Sequence, residues 1–276
     1  PQHLLEQLVH YVDEGRDEGD PLRTYAKNMV AQNPSTPDYL LEELAFDEDR
    51  MVRYGVEINP GAPIHVLTAI FNQSTEDLAR ADALEASGSD EDYDFMRWEA
   101  YQKRQAIAGN PSTPVEILAA LAMDPKDSVR QAVAKNTNSP AETLITLSQD
   151  WDESVRKVVA ENPSAPSSCL DDLATDADGE VRRLLASNPN TSPETLRALA
   201  NDSEAFVREA AAGNKSTPVD SLEKLAQDRT GTYIMRGVGA NPSTPARILI
   251  RLAKEDFFGI REGVAENPSV QSIYIQ

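Results

Sequence analysis

The five residues NPSTP occupy positions 33–37 of the chain and return unchanged at 110–114 and 241–245. Near-copies stand between them: NTNSP at 136–140, NPSAP at 162–166, NPNTSP at 188–193 and NKSTP at 214–218. A polar, proline-rich phrase can serve as a phosphorylation motif, as a ligand-binding loop or as a turn repeated for architecture. Its regular recurrence favours the architectural interpretation.

The first asparagine of each phrase recurs with a period of 26 residues, apart from one interval of 51 and one of 27. The positions are Asn33, Asn59, Asn110, Asn136, Asn162, Asn188, Asn214, Asn241 and Asn267. Leucine or isoleucine stands eight and eleven residues after the first eight of these asparagines, and an aliphatic residue stands three before all nine. This agreement establishes an internal repeat of about nine units.

The pattern within each unit predicts two short α-helices. In SVRKVVAEN (154–162) Val155, Val158 and Val159 lie at helical spacing, and in PVEILAALAMD (114–124) Leu118 and Leu121 do the same. Helices of this length are too short to be stable alone in water. Each unit must therefore pack against its neighbours, which is the principle of a solenoid.

The chemistry of NPSTP suits the junction between these two helices. The first helix must end before Pro111, because the residue that precedes a proline avoids the α conformation. Asn110 is expected to accept a hydrogen bond from the backbone two residues on. Thr113 is predicted to be an N-cap, with Pro114 in the first helical position and Glu116 completing a capping box. Proline-directed phosphorylation of these threonines is the functional alternative.

A second regularity concerns charge. An aspartate stands fourteen residues after most of the asparagines, and an arginine follows it by six, in the form D-x4-V-R. The members are Asp124, Arg130, Asp150, Arg156, Asp176, Arg182, Asp202 and Arg208. One functional alternative is that the row of arginines binds phosphate groups, and another is that the row of aspartates binds cations. We predict instead a structural ladder, because the forked donors of arginine suit carboxylates and carbonyls in the same and adjacent repeats.

The full pattern, V-R-x-x-V-A-x-N-P-x-x-P-x-x-x-L-x-x-L-A-x-D, resembles the variant leucine-rich repeat family and is similar to HEAT repeats. The resemblance runs from about residue 24 to the C-terminus, apart from one insertion. It implies an all-α, right-handed α-solenoid in which one helix of each unit is 3₁₀ or α; the long period favours α. Some members of the family carry an iron–sulfur domain. Cys169 is the only cysteine here, so that activity is not carried over.

The irregularities of the repeat divide the chain. Residues 1–24 are predicted to be an N-terminal cap, with an amphipathic helix at 3–14 that directs Leu4, Leu5, Leu8, Val9 and Val12 inward. Repeats one and two occupy 25–72, an acidic helical insertion occupies 73–97, and repeats three to nine occupy 98–276 as one continuous solenoid. In the interrupted unit Gln73 replaces the ladder aspartate and Glu57 replaces a small residue.

Two arrangements of the insertion are consistent with its sequence. One is a projecting hairpin of a lengthened helix, an acidic turn at 87–94 and a long helix that carries Trp98 and Tyr101. The other is a degenerate repeat with Leu78 and Leu84 in the core. In either arrangement Trp98 is expected to be a packed anchor, and the acidic turn is expected to be solvated, because its spacing does not match an EF-hand.

Composition and motifs limit the functional class. The net charge of −20 and a pI near 4.5 argue against nucleic-acid binding, which depends on cations. The sequence contains no run of eighteen apolar residues, so no membrane span is predicted. With three histidines, one thiol and no hydrolase or phosphate-binding motif, neither an enzyme nor a cofactor or metal is expected. The single cysteine suits a cytoplasmic protein.

The sequence therefore favours a non-catalytic scaffold that binds a basic protein or peptide through its curved face and the acidic insertion. The candidate partner-binding residues are Glu42, Glu43, Asp90, Glu91, Asp92, Tyr93, Asp94 and Trp98. The alternative is a nucleic-acid-binding repeat protein that uses a local basic patch near 247–254. The oligomeric state is left open.

Overall fold

The computed structural model describes residues 5, 7–9, 21–89 and 91–271, and among them it contains α-helices and no strand. The predicted all-helical repeat fold is thus confirmed. Most of the predicted helix at 3–14 lies outside the described residues. Val9 is buried, but Leu8 is 40% exposed rather than directed inward, because neighbouring helical residues point about 100° apart.

The helices fall into two compact units, residues 1–143 and 144–276. The first unit contains α1 (Pro21–Ala31), α2 (Asp38–Leu44), α3 (Arg50–Glu57), α4 (Ile64–Ser87), α5 (Tyr93–Gly109), α6 (Val115–Leu121) and α7 (Asp127–Lys135). The unit boundary falls within α8 (Ala141–Ser148). The second unit contains α9 (Glu153–Glu161), α10 (Ser167–Leu173), α11 (Gly179–Ser187), α12 (Pro193–Leu199), α13 (Ala205–Gly213), α14 (Val219–Leu225), α15 (Thr232–Ala240), α16 (Ala246–Leu252), α17 (Phe258–Glu266) and α18 (Pro268–Gln271).

Except where α4 is lengthened, each repeat consists of a first helix, with an odd number, and a shorter second helix. First helices pack against first helices of the next repeat, as α9 does on α11 and α11 on α13. Both helices of each unit are α, as the long period indicated. The aliphatic positions of the repeat form the core: Val159, Leu170 and Leu196 are fully buried. Burial of each such side chain contributes about 1.5–3 kcal/mol.

The repeated asparagine joins one repeat to the preceding one. Oδ1 of Asn188 accepts a hydrogen bond from the backbone N–H of Asn190 at 2.9 Å, which is the predicted turn. Its Nδ2 donates to the carbonyl oxygens of Ala160 at 2.7 Å and Asn162 at 3.1 Å, both in the preceding repeat. The same double bridge is made by Asn59, Asn110, Asn136, Asn214, Asn241 and Asn267.

The predicted capping box is wrong. The second helix α6 begins after Pro114, which makes no side-chain cap, and the buried hydroxyl of Thr113 donates backward to the carbonyl oxygen of Ile107. The last carbonyls of a helix have no partner within it, so a buried hydroxyl beside them stabilises the end of the first helix. Ser192 is an exception, because its Oγ accepts from the N–H of Thr195 at 3.1 Å.

The helix α4 is 24 residues long because the turn of the ordinary repeat is missing. Elsewhere the ladder aspartate accepts a hydrogen bond from the backbone two residues on, as Asp176 does from Asp178 at 2.8 Å. Gln73 stands in this position in α4, and the helix continues to Ser87. It ends at Gly88, whose φ of 65° lies in the left-handed region that favours glycine.

The helices α4 and α5 pack against each other as a helical hairpin. Ala81 on α4 and Ala100 on α5 are fully buried, whereas Leu78 and Leu84 are only half-buried. Small side chains therefore allow the two long helices to approach closely. The leucines do not form a repeat core.

We expect the asparagine bridge to be a main determinant of stability. Asn188→Ala should lower the free energy of unfolding by roughly 2–3 kcal/mol, because two buried carbonyl oxygens lose their donor. Asn188→Asp should lower it further, because a carboxylate keeps the turn acceptor but faces the same carbonyls without a proton. Denaturant unfolding measures both, with the exposed Asn201→Ala as the control. An aspartate variant as stable as the wild type would contradict this role.

Candidate functional site

The ladder arginines contact two repeats at once. Nη1 of Arg156 donates to the carbonyl oxygen of Asp150 at 2.8 Å within its own repeat. Its Nε and Nη2 donate to the two carboxylate oxygens of Asp176 in the next repeat, at 2.6 and 3.0 Å. Arg182 repeats the forked contact with Asp202 at 2.7 and 3.0 Å. Each of these arginines therefore binds an aspartate side chain across the repeat boundary and a backbone carbonyl oxygen within its own repeat.

The ion pair of the ladder is also present in units where one of its two residues is of another type or comes from another position. In the first unit Lys27 binds Asp47 at 2.9 Å, and Arg104 binds Asp124. Where the insertion removes the aspartate, Arg53 binds Glu99 of α5 instead. The buried Arg130 donates to the carbonyl oxygen of Asp124 at 2.9 Å.

Electrostatics explain why this ladder is stable. Burial alone would raise the pKa of Asp202, but hydrogen bonds from Arg182 and from the backbone of Glu204 hold that pKa below its usual value. The hydrogen bond to Asp176 likewise raises the pKa of Arg156. These groups satisfy each other, which supports a structural rather than a ligand-binding role for the ladder.

We expect Arg156→Ala and Asp176→Ala each to lower the free energy of unfolding by roughly 1–3 kcal/mol. The double variant should lose less than the sum, because either single change already breaks the same contact. Denaturant unfolding of the four proteins measures the coupling. The exposed pair Arg197 and Asp220, 3.0 Å apart, is the control and should show little coupling. Additive losses at Arg156 and Asp176 would contradict the shared contact.

The predicted partner-binding carboxylates lie in two separate places. Glu42 on α2 binds Nε2 of His65 at 2.7 Å, near the start of α4, and Glu43 beside it is exposed. The acidic turn lies at the other end of α4, about 33 Å away by helical rise. The structure does not bring these two groups together.

Within the turn, the carboxylates have different local roles. Glu91 pairs with Arg80 at 3.2 Å, and Asp94 lies 3.5 Å from Arg97. Asp92 caps α5 by accepting from the backbone N–H of Phe95 at 2.9 Å. The carboxylate of Asp90 lies outside the described residues. The turn is therefore acidic but partly neutralised by arginines of the hairpin.

The start of α5 carries an exposed aromatic cluster. Trp98 stacks on Phe95 with ring centroids 5.7 Å apart, and it remains 50% exposed, so it is less enclosed than a packed anchor. The guanidinium of Arg50 on α3 lies 5.5 Å from the Trp98 ring centroid and 5.7 Å from that of Tyr54. Tyr93 lies under Arg97 at 5.8 Å. Neither Arg50 nor Phe95 is among the residues predicted from the sequence to bind a partner.

Glu57 is a buried carboxyl where α3 packs on α5. Its Oε2 has no hydrogen-bond partner among the described residues, and neither has the buried Nε of Arg50. Burial raises the pKa of Glu57 to about 6, while the charges of Arg50, Lys103 and Arg53 lower it and Glu99 raises it. The charged form of Glu57 is therefore destabilised near neutral pH.

The pH dependence of this residue has a definite sign. The folded protein holds the proton up to a pH of about 6, compared with 4.5 ordinarily, so the contribution of Glu57 to stability is complete below pH 4.5 and is lost as the pH rises through 6. We expect the stability of Glu57→Gln relative to wild type to rise by about 2 kcal/mol between pH 4.5 and about pH 7.5. Unfolding at both pH values measures it. An equal difference at both pH values for Glu57→Gln would contradict the shift.

Other chemistry receives little support from the described part of the chain. It contains no group of three His, Cys, Asp or Glu side chains placed to hold a metal ion. Cys169 is buried, and burial raises the pKa of its thiol to about 11. Among the helices described, none is both long enough and apolar enough to cross a membrane.

The fold and the ladder geometry define a helical-repeat protein. One unit, residues 179–204, matches the family model described as leucine rich repeat variant, which confirms the resemblance seen in the repeat pattern. A solved structure described as a leucine-rich repeat variant with a novel repetitive protein structural motif is similar at 25% identity, covering 85% of this chain and 80% of that chain with a TM-score of 0.49.

Two artificial proteins are also similar in structure. An engineered protein shares 16% identity over 99% of this chain and 92% of its own, with a TM-score of 0.36. A designed armadillo repeat protein shares 13% identity over 96% and 99%, with a TM-score of 0.23. No curated protein matches the sequence.

Proposed function

We propose that the protein is a non-catalytic repeat scaffold that binds a basic protein or peptide segment, with the acidic turn of the α4–α5 hairpin as the main attracting element. The observation that carries the proposal is the concentration of carboxylates where the repeat is interrupted. Residues 73–104 contain nine acidic and four basic residues, a net charge of −5. The segment thus contributes a quarter of the net charge of −20.

The basic residues of the hairpin neutralise its α4 side more than its tip. Lys103 binds Asp77 at 2.8 Å, and Arg97 binds Asp82 and Glu85 at 2.9 and 2.6 Å. At the tip, Asp92 has only backbone donors among its described contacts. A negative field at the end of a hairpin favours rapid encounter with a cationic partner and weakens as salt rises.

The second helix α2 provides a secondary acidic surface. Glu43 is exposed and has no partner among the described residues, whereas Glu42 is paired with His65. The helix α2 lies near the start of α4, whereas the acidic turn follows the end of α4. A partner that contacts both surfaces must therefore be extended. With one cysteine in the sequence, we place this scaffold in the cytoplasm, where thiols remain reduced.

The alternative of nucleic-acid binding near 247–254 is less favoured. Arg247 is paired with Glu223, and the neighbouring Arg229 holds Glu255 at 2.9 Å. Cations that are already neutralised contribute little to phosphate binding. Arg251 and Lys254 remain exposed, which is a small basic surface for a nucleic acid.

A triple variant tests the proposed attraction. Glu43→Gln, Glu91→Gln and Asp94→Asn together remove three exposed carboxylates and leave the Asp92 cap intact. We expect partners captured from a native lysate and identified by mass spectrometry to carry basic segments. Their capture should fall in the variant and at high salt, because both changes weaken the negative field.

A matched control separates local from total charge. Glu161→Gln, Glu194→Gln and Glu209→Gln change the net charge equally but lie on exposed surfaces of the second unit. This control should retain the partners. Equal loss in both variants would contradict a site at the hairpin, and capture that nuclease abolishes would favour the nucleic-acid alternative.

A further inference from the structure

Exposed apolar side chains are concentrated on the first helices of the first unit. Tyr25 and Met29 on α1, Met51 on α3, and Phe95 and Trp98 on α5 are each at least 50% exposed. We call these five residues the aromatic–methionine face. Single exposed apolar residues need no explanation, but a group of this size on successive helices does.

The corresponding surface of the second unit has a different character. Its first helices carry charged residues that pair with one another: Lys157 binds Asp178 at 2.7 Å, and Arg183 binds Glu180 at 2.6 Å. Exposed apolar side chains are fewer on these helices and lie one to a helix: Phe206, Tyr233 and Phe258.

Contacts between the three helices place the parts of the aromatic–methionine face side by side. The helices α1 and α3 are so close that a Cβ on Gly55 would lie 2.7 Å from Cβ of Ala31. Toward their N-terminal ends, Oγ1 of Thr24 donates to Asp49 at 2.7 Å. Arg50 then joins α3 to α5 by lying over Trp98.

The rim of the face is acidic. Exposed Asp94, Glu91 and Glu48 each lie near an arginine, at 3.5, 3.2 and 3.6 Å, whereas the exposed Asp92 has no cationic partner among the described contacts, so the rim keeps an acidic balance. An apolar centre rich in aromatic and methionine side chains, surrounded by polar groups, is the composition of protein–protein interfaces. The sign of the rim selects a partner with positive charges around its apolar anchor.

A second copy of this chain is a poor occupant of the face. It carries the same acidic rim and a net charge of −20, so that two such faces would repel each other. An acidic amphipathic segment is disfavoured for the same reason. Methionine side chains adapt to differently shaped apolar groups, which suits a peptide segment.

We propose that the aromatic–methionine face binds a cationic amphipathic segment, in which aliphatic or aromatic anchors contact Met51, Phe95 and Trp98 while flanking lysines or arginines contact the acidic rim. This inference rests on the proposed function for the positive charge of the partner. It differs from the proposed function because it places the main contact area on exposed apolar side chains of the first helices and not on charged groups alone.

Tryptophan fluorescence tests the proposal. Trp151→Phe leaves Trp98 as the only tryptophan, because the chain has two. The probe is a synthetic amphipathic helical peptide of leucine and lysine, compared with a lysine–serine peptide and a leucine–glutamate peptide. We expect saturable binding of the leucine–lysine peptide, with a blue shift of Trp98 emission, and much weaker binding of the other two.

Variants locate the contact. Met51→Ala with Phe95→Ala should weaken the leucine–lysine peptide about tenfold or more. The matched control Tyr233→Ala should leave its affinity unchanged, and circular dichroism checks that each variant is folded. Equal affinity of the lysine–serine peptide, or no effect of the double variant, would overturn the apolar contact while leaving the proposed attraction of basic partners intact.

The remaining outcomes separate the two proposals. Equal affinity of the leucine–glutamate peptide would overturn the selection of positive charge. Failure of both cationic peptides to bind would contradict this inference and the proposed function together. The triple carboxylate variant should weaken both cationic peptides, whereas the double apolar variant should weaken only the leucine–lysine peptide.

Discussion

The double hydrogen bond from each asparagine Nδ2 to the preceding repeat is the constraint on which the rest of the structure depends. It fixes the end of one first helix against the turn of the next, so chain length cannot change on that side. The one added residue near 229–236 and the whole insertion enter on the opposite side. Asn241 still reaches Ala212 and Asn214, and Asn110 still reaches Glu57 and Asn59.

The charge ladder is more tolerant because it links side chains rather than backbones. A long side chain can reach a partner from several positions, so lysine replaces arginine at Lys27 and a glutamate on α5 replaces the aspartate for Arg53. Near α15 the usual arginine position holds the buried Met235, and Arg229 binds Glu255 instead. The ladder therefore maintains contact between adjacent repeats without dictating their length.

Sequence reasoning succeeded where one residue type has one local role. The aliphatic period gave the helices and core, and Asn110 makes the expected turn with Ser112. It failed where the partner is the carbonyl oxygen of another helix end or repeat, because such acceptors leave no mark in a sequence. Thr113 illustrates this, because a threonine at this position can either cap the second helix or donate to the last carbonyls of the first helix, and the sequence does not distinguish the two. The contact between Arg50 and Trp98 could not be predicted, because it depends on how the hairpin packs and not on any spacing in the sequence.

The position of the hairpin also makes it replaceable. Both of its ends are held by asparagine bridges of adjoining repeats, and the core aliphatic positions resume directly after it. A segment of another length or composition can therefore be displayed from the same base while the repeats keep their packing. The residues that support the repeats differ from those at the tip of the hairpin, so one set can be exchanged by evolution or by grafting while the other is retained.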